Sequence, residues 1–182
     1  VVTYHAGLRP GLKARVQVLN MDATVAWEKE VTVDSREDTT EKCIKLEFPD
    51  GLSQVHFIKL VLEENGKAVS ENFYHRSKVE NNYQALKQLP KVSLRAQTQY
   101  DKGDDGEWKA EVTVENRSDA PALMVRLNIV GDKDSKQFLP IFYSENYFAL
   151  LPGETKVVRV HWKDVDTRGN APLLKVSGYN VE

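Results

Sequence analysis

Short segments in which apolar and polar residues alternate run through most of the chain, and they restrict the fold more than any other feature. A period of two places every second side chain on one face of a β-strand. Turn-forming residues separate the segments, and Asn65-Gly66 is a strong signal for a two-residue hairpin. The pattern predicts an all-β chain with strands at Lys13–Leu19, Glu28–Val33, Lys42–Phe48, Val55–Leu62, Lys109–Val114, Val125–Val130, Lys156–Trp162 and Leu174–Tyr179.

One strand pattern occurs twice, about one domain length apart. Lys13-Ala14-Arg15-Val16-Gln17-Val18-Leu19-Asn20 reappears as Lys109-Ala110-Glu111-Val112-Thr113-Val114-Glu115-Asn116, and each copy is followed by a polar turn and another alternating segment. Between the copies, Tyr83–Leu89 lacks alternation and precedes a proline, so one or two helical turns are expected there. We predict two tandem immunoglobulin-like β-sandwiches joined by a short linker, with residues 1–88 in the first and residues 89–182 in the second.

Composition excludes several classes of function. The 25 Lys and Arg residues are balanced by 27 Asp and Glu residues of interspersed sign, so no basic face for nucleic acid or anionic lipid is expected. No apolar run has the roughly 18 residues that a membrane-spanning helix needs. Cys43, the single cysteine, is interpreted as one position of a strand rather than as a reactive thiol. The first residues contain no leader, which we interpret as a sign that the chain is a processed or excised piece of a longer one.

Motifs for chemistry are weak throughout the chain. The four histidines lack the short spacing of metal ligands, and His56 and His161 are expected to be partly exposed strand residues. Asp101–Glu107 resembles a calcium loop only in its acidic and glycine residues, and a solvated hairpin tip is the better interpretation. Asn116-Arg117-Ser118 is a glycosylation sequon, but Asn116 is expected to turn the chain at a strand end. We expect no metal site, no cofactor and no catalytic residue.

The segment Leu139–Glu154 is rich in aromatic residues and allows two interpretations. Tyr143, Asn146 and Tyr147 could form a stacking platform in which one amide binds sugar hydroxyls. Alternatively, a short edge strand ends at Tyr143 and a buried strand, Tyr147–Leu151, follows, with Phe148 and Leu150 on one face. In that case the segment is a core strand with a rim that docks another domain, and Pro152-Gly153 forms a turn of type II.

The same segment carries a resemblance to known proteins. Leu139–Thr155, with Leu150-Leu151-Pro152-Gly153-Glu154 near its end, resembles the final immunoglobulin-like domain of family-two glycoside hydrolases of the β-mannosidase and exo-β-D-glucosaminidase group. The ending Val176-Ser177-Gly178-Tyr179-Asn180 is similar to the Val-Ser-Gly-Trp-Asn type found in the glucosaminidase branch. Val69–Tyr74 resembles the last strand of the preceding sandwich, although His75 stands where a Trp is usual.

The resemblance implies a parent enzyme and a role without chemistry for this chain. Such parents are retaining glycoside hydrolases whose two catalytic glutamates lie on a (β/α)₈ barrel, and no position here matches their Asn-Glu motif. The implied role is to brace or border the barrel, which would be the partner, with carbohydrate as a further candidate partner. A secreted or periplasmic location is implied as well. The alternatives are a carbohydrate-binding module and a free-standing adhesion-type pair of sandwiches.

Overall fold

The structure of the chain, a computed structural model, describes residues 2–4 and 7–182. The chain divides into two compact units: unit 1 ends at Leu89 and unit 2 begins at Pro90. Strands form both units, and the helical segments described are short 3₁₀ helices. No helix in the described part of the chain combines the length and the apolar character that crossing a bilayer requires. The predicted all-β fold class is confirmed.

Unit 1 is built on one antiparallel sheet with the strand order β3-β2-β5-β6, and β1 and β4 form a separate two-stranded sheet. Alternate residues of β2, among them Leu12, Val16 and Val18, are buried, as the sequence pattern predicts. Asn65 and Gly66 join β5 to β6 and both have positive φ, which is the geometry of a type I′ hairpin turn. The strands are β1 (Val2–Tyr4), β2 (Arg9–Asn20), β3 (Val25–Ser35), β4 (Thr39–Glu41), β5 (Val55–Glu64) and β6 (Lys67–Ser77).

The prediction of a strand at Lys42–Phe48 is wrong in one respect. The segment alternates as expected, since Ile44 and Leu46 are half-buried while Lys45 and Glu47 are exposed. However, it belongs to no β-ladder in the described part of the chain, and Cys43 is therefore not a strand residue. Alternation determines which side chains face inward, but a strand also needs a hydrogen-bonded neighbour.

The segment that follows β6 contains the expected helical turn. Gln84–Gln88 forms a 3₁₀ helix in which the Leu86 N–H donates to the Tyr83 carbonyl at 3.0 Å. The Leu89 N–H then donates to the Leu86 carbonyl at 3.1 Å, and Pro90 follows. The prediction of one or two helical turns before the proline is confirmed.

Unit 2 is a sandwich of two antiparallel sheets, with strand orders β10-β12-β8-β7 and β11-β9-β13. The short strand β10 lies at a sheet edge, as predicted for the first part of the aromatic segment. β11 also lies at a sheet edge, and its residues Phe148 and Leu150 are buried on one face, as predicted for the second part. The strands are β7 (Leu94–Lys102), β8 (Glu107–Asn116), β9 (Ala122–Gly131), β10 (Ile141–Tyr143), β11 (Phe148–Leu150), β12 (Thr155–Lys163) and β13 (Pro172–Ser177).

A tryptophan-centred core fills the space between these sheets. Trp162 is 1% exposed, and the ring of Trp108 is stacked parallel to it at 5.9 Å between centroids. Phe138 approaches Trp162 from another side at 6.0 Å. The Trp108 indole N–H donates to Asp164 Oδ1 at 2.7 Å, and this bond, together with Lys102, lowers the pKa of Asp164. Aromatic burial on this scale is a large part of what stabilises a small domain.

The repeated sequence pattern forms an inner strand of a four-stranded sheet in each unit, but the placement of the next strand differs between the units. β2 and β8 each lie inside a four-stranded sheet. After β2 the chain returns as β3 in the same sheet, whereas after β8 it crosses to the other sheet as β9. The repeat therefore identifies one shared strand and its turn, and the next strand is placed differently in each unit.

Two predicted turns have the expected form. Asp101–Glu107 spans the tip of the hairpin between β7 and β8, where the Gly106 N–H donates to the Gly103 carbonyl at 3.1 Å. After β11, the Glu154 N–H donates to the Leu151 carbonyl at 3.1 Å, and Gly153 has φ +78°. Positive φ at the third residue of a turn is the mark of type II.

Candidate docking and sugar-contact site

Tyr143 and Asn146 lie in the aromatic segment, and their polar groups are engaged within unit 2. The Tyr143 hydroxyl oxygen accepts the backbone N–H of Ile129 at 3.0 Å, and burial raises the pKa of Tyr143. Tyr143 therefore serves as a bridge from the edge strand β10 to β9. Its ring is half-buried, which leaves less surface for stacking against a sugar.

Asn146 takes the place of a strand residue beside β9. Its Oδ1 accepts the Leu127 N–H at 2.8 Å and its Nδ2 donates to the Leu127 carbonyl at 2.9 Å, so the amide pairs with both backbone groups of one residue. The same Oδ1 accepts the Tyr147 N–H at 3.0 Å. This amide fixes the geometry of the bend before β11, because a side-chain amide reproduces the donor and acceptor of a peptide group.

Tyr147 differs from the other two candidates because it is exposed. Its side chain is 55% accessible, and its φ of +58° is in the left-handed region that non-glycine residues seldom adopt. The guanidinium carbon of Arg126 lies 6.0 Å from the ring centroid, at the outer limit for a cation–π contact. Of the two predicted tyrosines, Tyr147 is the one with an exposed ring.

Phe142 is an exposed aromatic residue that the sequence analysis did not single out. It is 55% accessible and stacks on the His161 imidazole with 5.0 Å between ring centroids. His161 Nδ1 lies 3.1 Å from Glu107 Oε1, so the ring pair borders a carboxylate. Alternation could have found Phe142, since the inward direction of Tyr143 in a strand places the preceding side chain outward.

His56 is buried, which corrects the expectation of a partly exposed strand histidine. It is 2% accessible, and the ring of Phe48 covers it at 5.7 Å between centroids. Burial lowers the pKa of His56, and the nearby cations Arg76 and Lys78 lower it further, against an opposing effect of Ser53. His56 lies in the inner strand β5, in which four successive residues, Val55–Ile58, are buried, so both faces of the sheet are covered there. Alternation does not report this.

The remaining histidines do not form a metal-binding group among the described residues. His75 contacts the ring of Tyr83 edge-on at 5.4 Å, and His161 pairs with Glu107. His5 lies outside the described residues. In the part of the chain that the structure describes, no group of three or more His, Cys, Asp and Glu side chains is arranged to hold a metal ion.

Asn116 is a structural residue, as predicted. It is fully buried, and its Nδ2 donates to the carbonyls of Ala120 and Leu150, at 2.9 Å each. Its Oδ1 accepts the Ser118 N–H at 3.0 Å. All the hydrogen-bonding capacity of the Nδ2 group is used inside the fold, so in the folded chain this sequon asparagine has no accessible nitrogen for a glycan.

Comparison with known families assigns both parts of the chain. Residues 72–181 match the family model described as the exo-β-D-glucosaminidase Ig-fold domain. Residues 10–79 match a second model, the mannosidase Ig/CBM-like domain. The first match alone covers more than half of the chain.

Curated relatives bear the name exo-β-D-glucosaminidase. The protein from Streptomyces avermitilis is 31% identical over 94% of this chain, and the alignment spans 22% of that relative. The protein from Arthroderma benhamiae is 27% identical over 98% of this chain and again 22% of the relative. The chain therefore spans about a fifth of the length of the curated relatives that it matches.

Solved structures give the same fold. The Amycolatopsis orientalis exo-chitosanase CsxA superposes with a TM-score of 0.87 at 24% identity, over 97% of this chain and 23% of that one. A complex of an altered form of that enzyme with PNP-β-D-glucosamine gives a TM-score of 0.87 at 25% identity. Together with the family match, these likenesses establish that the chain belongs to the family of exo-β-D-glucosaminidase Ig-fold domains.

Proposed function

We propose that this chain is a non-catalytic β-sandwich region of a retaining glycoside hydrolase of the β-mannosidase or exo-β-D-glucosaminidase type, where it braces or borders the catalytic barrel. The observation that carries the proposal is the combination of a family match over residues 72–181 with coverage of about a fifth of each relative. The relatives are named for their hydrolytic activity, and the part that this chain resembles is described as an Ig-fold domain.

The environment of the carboxylates in unit 2 supports a role without catalysis. A retaining glycosidase needs two carboxyl groups about 5–5.5 Å apart in a cleft, one of them with a raised pKa so that it can donate a proton. Glu115 has the opposite character, because its hydrogen bond to Arg117 lowers the pKa of the carboxyl. Glu107 pairs with His161, and Glu111 Oε2 lies 3.9 Å from Arg159 Nε.

Activity measurements test this proposal directly. We expect the 182-residue chain, shown to be folded by its NMR spectrum, to give no release of p-nitrophenol from p-nitrophenyl β-D-glucosaminide or β-mannoside. A longer natural polypeptide that contains this chain and a barrel should hydrolyse one of the two substrates. The proposal would be overturned if the isolated chain hydrolyses either substrate. The activity would have to copurify with the chain and be lost when carboxylates of the chain are substituted.

We infer a second, more local role for Tyr147, which is contact with another part of the longer protein. Tyr147 combines a 55% exposed ring with an unusual backbone conformation, and Asn146 holds that conformation. Strained, well-supported residues concentrate at contact and binding sites. Tyr143 and Asn146 then act as positioning residues for Tyr147, and direct contact with a sugar is the alternative for the same ring.

Oxidative footprinting distinguishes these uses of Tyr147. If the ring docks a neighbouring domain, hydroxyl-radical modification of Tyr147 should be slower in the longer polypeptide than in the 182-residue chain. Phe142 is the matched control, because it is also aromatic and 55% exposed. Equal modification of Tyr147 in both chains would exclude docking. Shifts of its NMR signals on titration with glucosamine oligosaccharides would favour the sugar contact instead.

A further inference from the structure

Unit 1 contains an apolar groove between its main sheet and the segment Lys42–Phe48. The groove has a volume of about 550 Å³, and its walls include Leu12, Val16 and Leu60 on the sheet and Ile44 and Leu46 on the opposite side. This is more than three times the roughly 150 Å³ of an apolar cavity that accepts benzene. The groove is open on one side, so its apolar lining is surface that a further element of the fold can cover.

The segment that forms one wall alternates like a strand but has no hydrogen-bonded neighbouring strand among the described residues. Ile44 and Leu46 line the groove and alternate with the exposed residues Lys45 and Glu47, and the segment continues directly from β4. The hydrogen bonds of the described residues include none to the backbone of Lys42–Glu47. A row of free peptide groups beside an apolar groove is the surface to which an additional strand binds.

The pairing of β1 with β4 determines where such a strand would lie. The two strands are antiparallel, with Val2 opposite Glu41 and Tyr4 opposite Thr39. In an antiparallel pair, the positions that precede Val2 lie opposite the positions that follow Glu41. A backward continuation of β1 therefore runs along Lys42–Phe48 with no change of register.

We propose that the groove of unit 1 is closed by a β-strand that leads directly into β1, supplied by a longer polypeptide that contains this chain. The occupant is an extended segment antiparallel to Lys42–Phe48, with the residue immediately before Val1 opposite Cys43. The second and fourth residues before Val1 lie opposite Ile44 and Leu46, so these positions carry apolar side chains that enter the groove. The coverage of about a fifth of each relative supports a longer polypeptide.

A strand continuous with β1 is a better occupant than a second copy of the chain. A tethered strand is already held beside the groove by the β1–β4 pairing, whereas a separate molecule loses translational and rotational freedom on binding. The register is also already defined for the tethered strand. This inference concerns the completion of unit 1 and does not depend on the activity of the longer protein.

Two extended forms of the full chain test the proposal. In the first, Val-Thr-Val-Thr-Val-Thr precedes Val1, which places valine at the second, fourth and sixth positions. In the matched control, Thr-Val-Thr-Val-Thr-Val has the same composition, and every valine faces away from the groove, because a shift of one residue exchanges the faces of a strand. Both forms carry Cys43→Ser and Leu46→Cys, so that the single thiol lies on the groove face of the wall and reports closure of the groove.

We expect the first extension to slow the alkylation of the thiol of the Leu46→Cys variant by iodoacetamide by roughly tenfold or more, and the control to change it less than about twofold. Hydrogen exchange should slow at alternate amides of Cys43–Glu47, those directed at the added strand, in the same form only. The NMR signals of unit 2 verify that both forms are folded. Equal protection by both extensions, or protection by neither, would overturn the proposed strand and its register.

Discussion

At the scale of single residues, asparagines at strand ends connect the turns to the core in both units. Asn20 ends β2, and its Nδ2 donates to Thr24 Oγ1 at 3.0 Å while its Oδ1 accepts the Ser53 N–H at 2.9 Å. Asn116 ends β8 and binds two carbonyls from a fully buried position. The same residue type therefore works in a half-exposed turn in one unit and inside the core in the other.

Substitution of Asn116 by Ala should destabilise unit 2. Two buried carbonyls, those of Ala120 and Leu150, would lose their side-chain donor, and each buried polar group left unsatisfied costs roughly 1–3 kcal/mol. We expect the free energy of unfolding to fall by about 3 kcal/mol in urea denaturation followed through the indole NMR signals of Trp108 and Trp162, which lie in unit 2. Asn20→Ala is the matched control, with a smaller loss in unit 1. A larger effect of Asn20→Ala would contradict the role assigned to Asn116.

His56 should make the stability of unit 1 depend on pH. Burial lowers the pKa of His56 in the folded state, while the pKa of an unfolded histidine is about 6.5. Below that pH the unfolded chain binds more protons than the folded chain. The contribution of neutral His56 to the free energy of unfolding is therefore complete above that pH and is lost as the pH falls.

The prediction for His56 is measured as a difference between two proteins. Urea unfolding of unit 1, followed through the methyl NMR signal of Ile58, should show a loss of stability between pH 8 and pH 5.5 in the natural chain. The variant His56→Phe, which retains a ring beside Phe48, should show a smaller loss. Equal losses in both proteins would mean that other groups cause the pH dependence.

At the scale of elements, the strands that the sequence predicts are those with strongly apolar inward positions. β7 was missed because its inward positions are Leu94, Ala96, Thr98 and Tyr100, a mixed set that does not differ clearly from its polar neighbours. Lys42–Phe48 shows the opposite error, since its pattern is strong and its partner is absent from the described residues. Local pattern reports which face is buried, whereas pairing depends on residues distant in sequence.

The sequence predicts only part of the candidate site, because local pattern does not determine which distant residues come into contact. The sequence identifies the aromatic segment and its two short strands, but the hydrogen bonds of Asn146 to Leu127 join residues that no local pattern connects. The exposure of Tyr147 results from a left-handed backbone conformation that few tyrosines adopt. Which candidate was presented outward therefore depended on tertiary contacts.

At the scale of the whole molecule, the two units differ in completeness. Unit 2 has two full sheets around Trp162 and Phe138, whereas the groove of unit 1 is open on one side. We expect residues 90–182 alone to fold, with an NMR spectrum that overlays the corresponding signals of the full chain. Residues 1–89 alone should unfold at a lower urea concentration. An unfolded 90–182 fragment would contradict the view of unit 2 as a self-sufficient domain.

The buried position of Asn116 has a consequence for how the protein can be produced. N-linked glycans are added to asparagines in such sequons, and a glycan on Nδ2 would replace one of the two donors that hold Ala120 and Leu150. Glycan attachment and the native fold of unit 2 are therefore mutually exclusive. In a eukaryotic secretory host the yield of folded unit 2 therefore depends on whether folding is faster than glycosylation of Asn116. Production in a bacterial host, or the substitution Ser118→Ala, prevents this glycosylation.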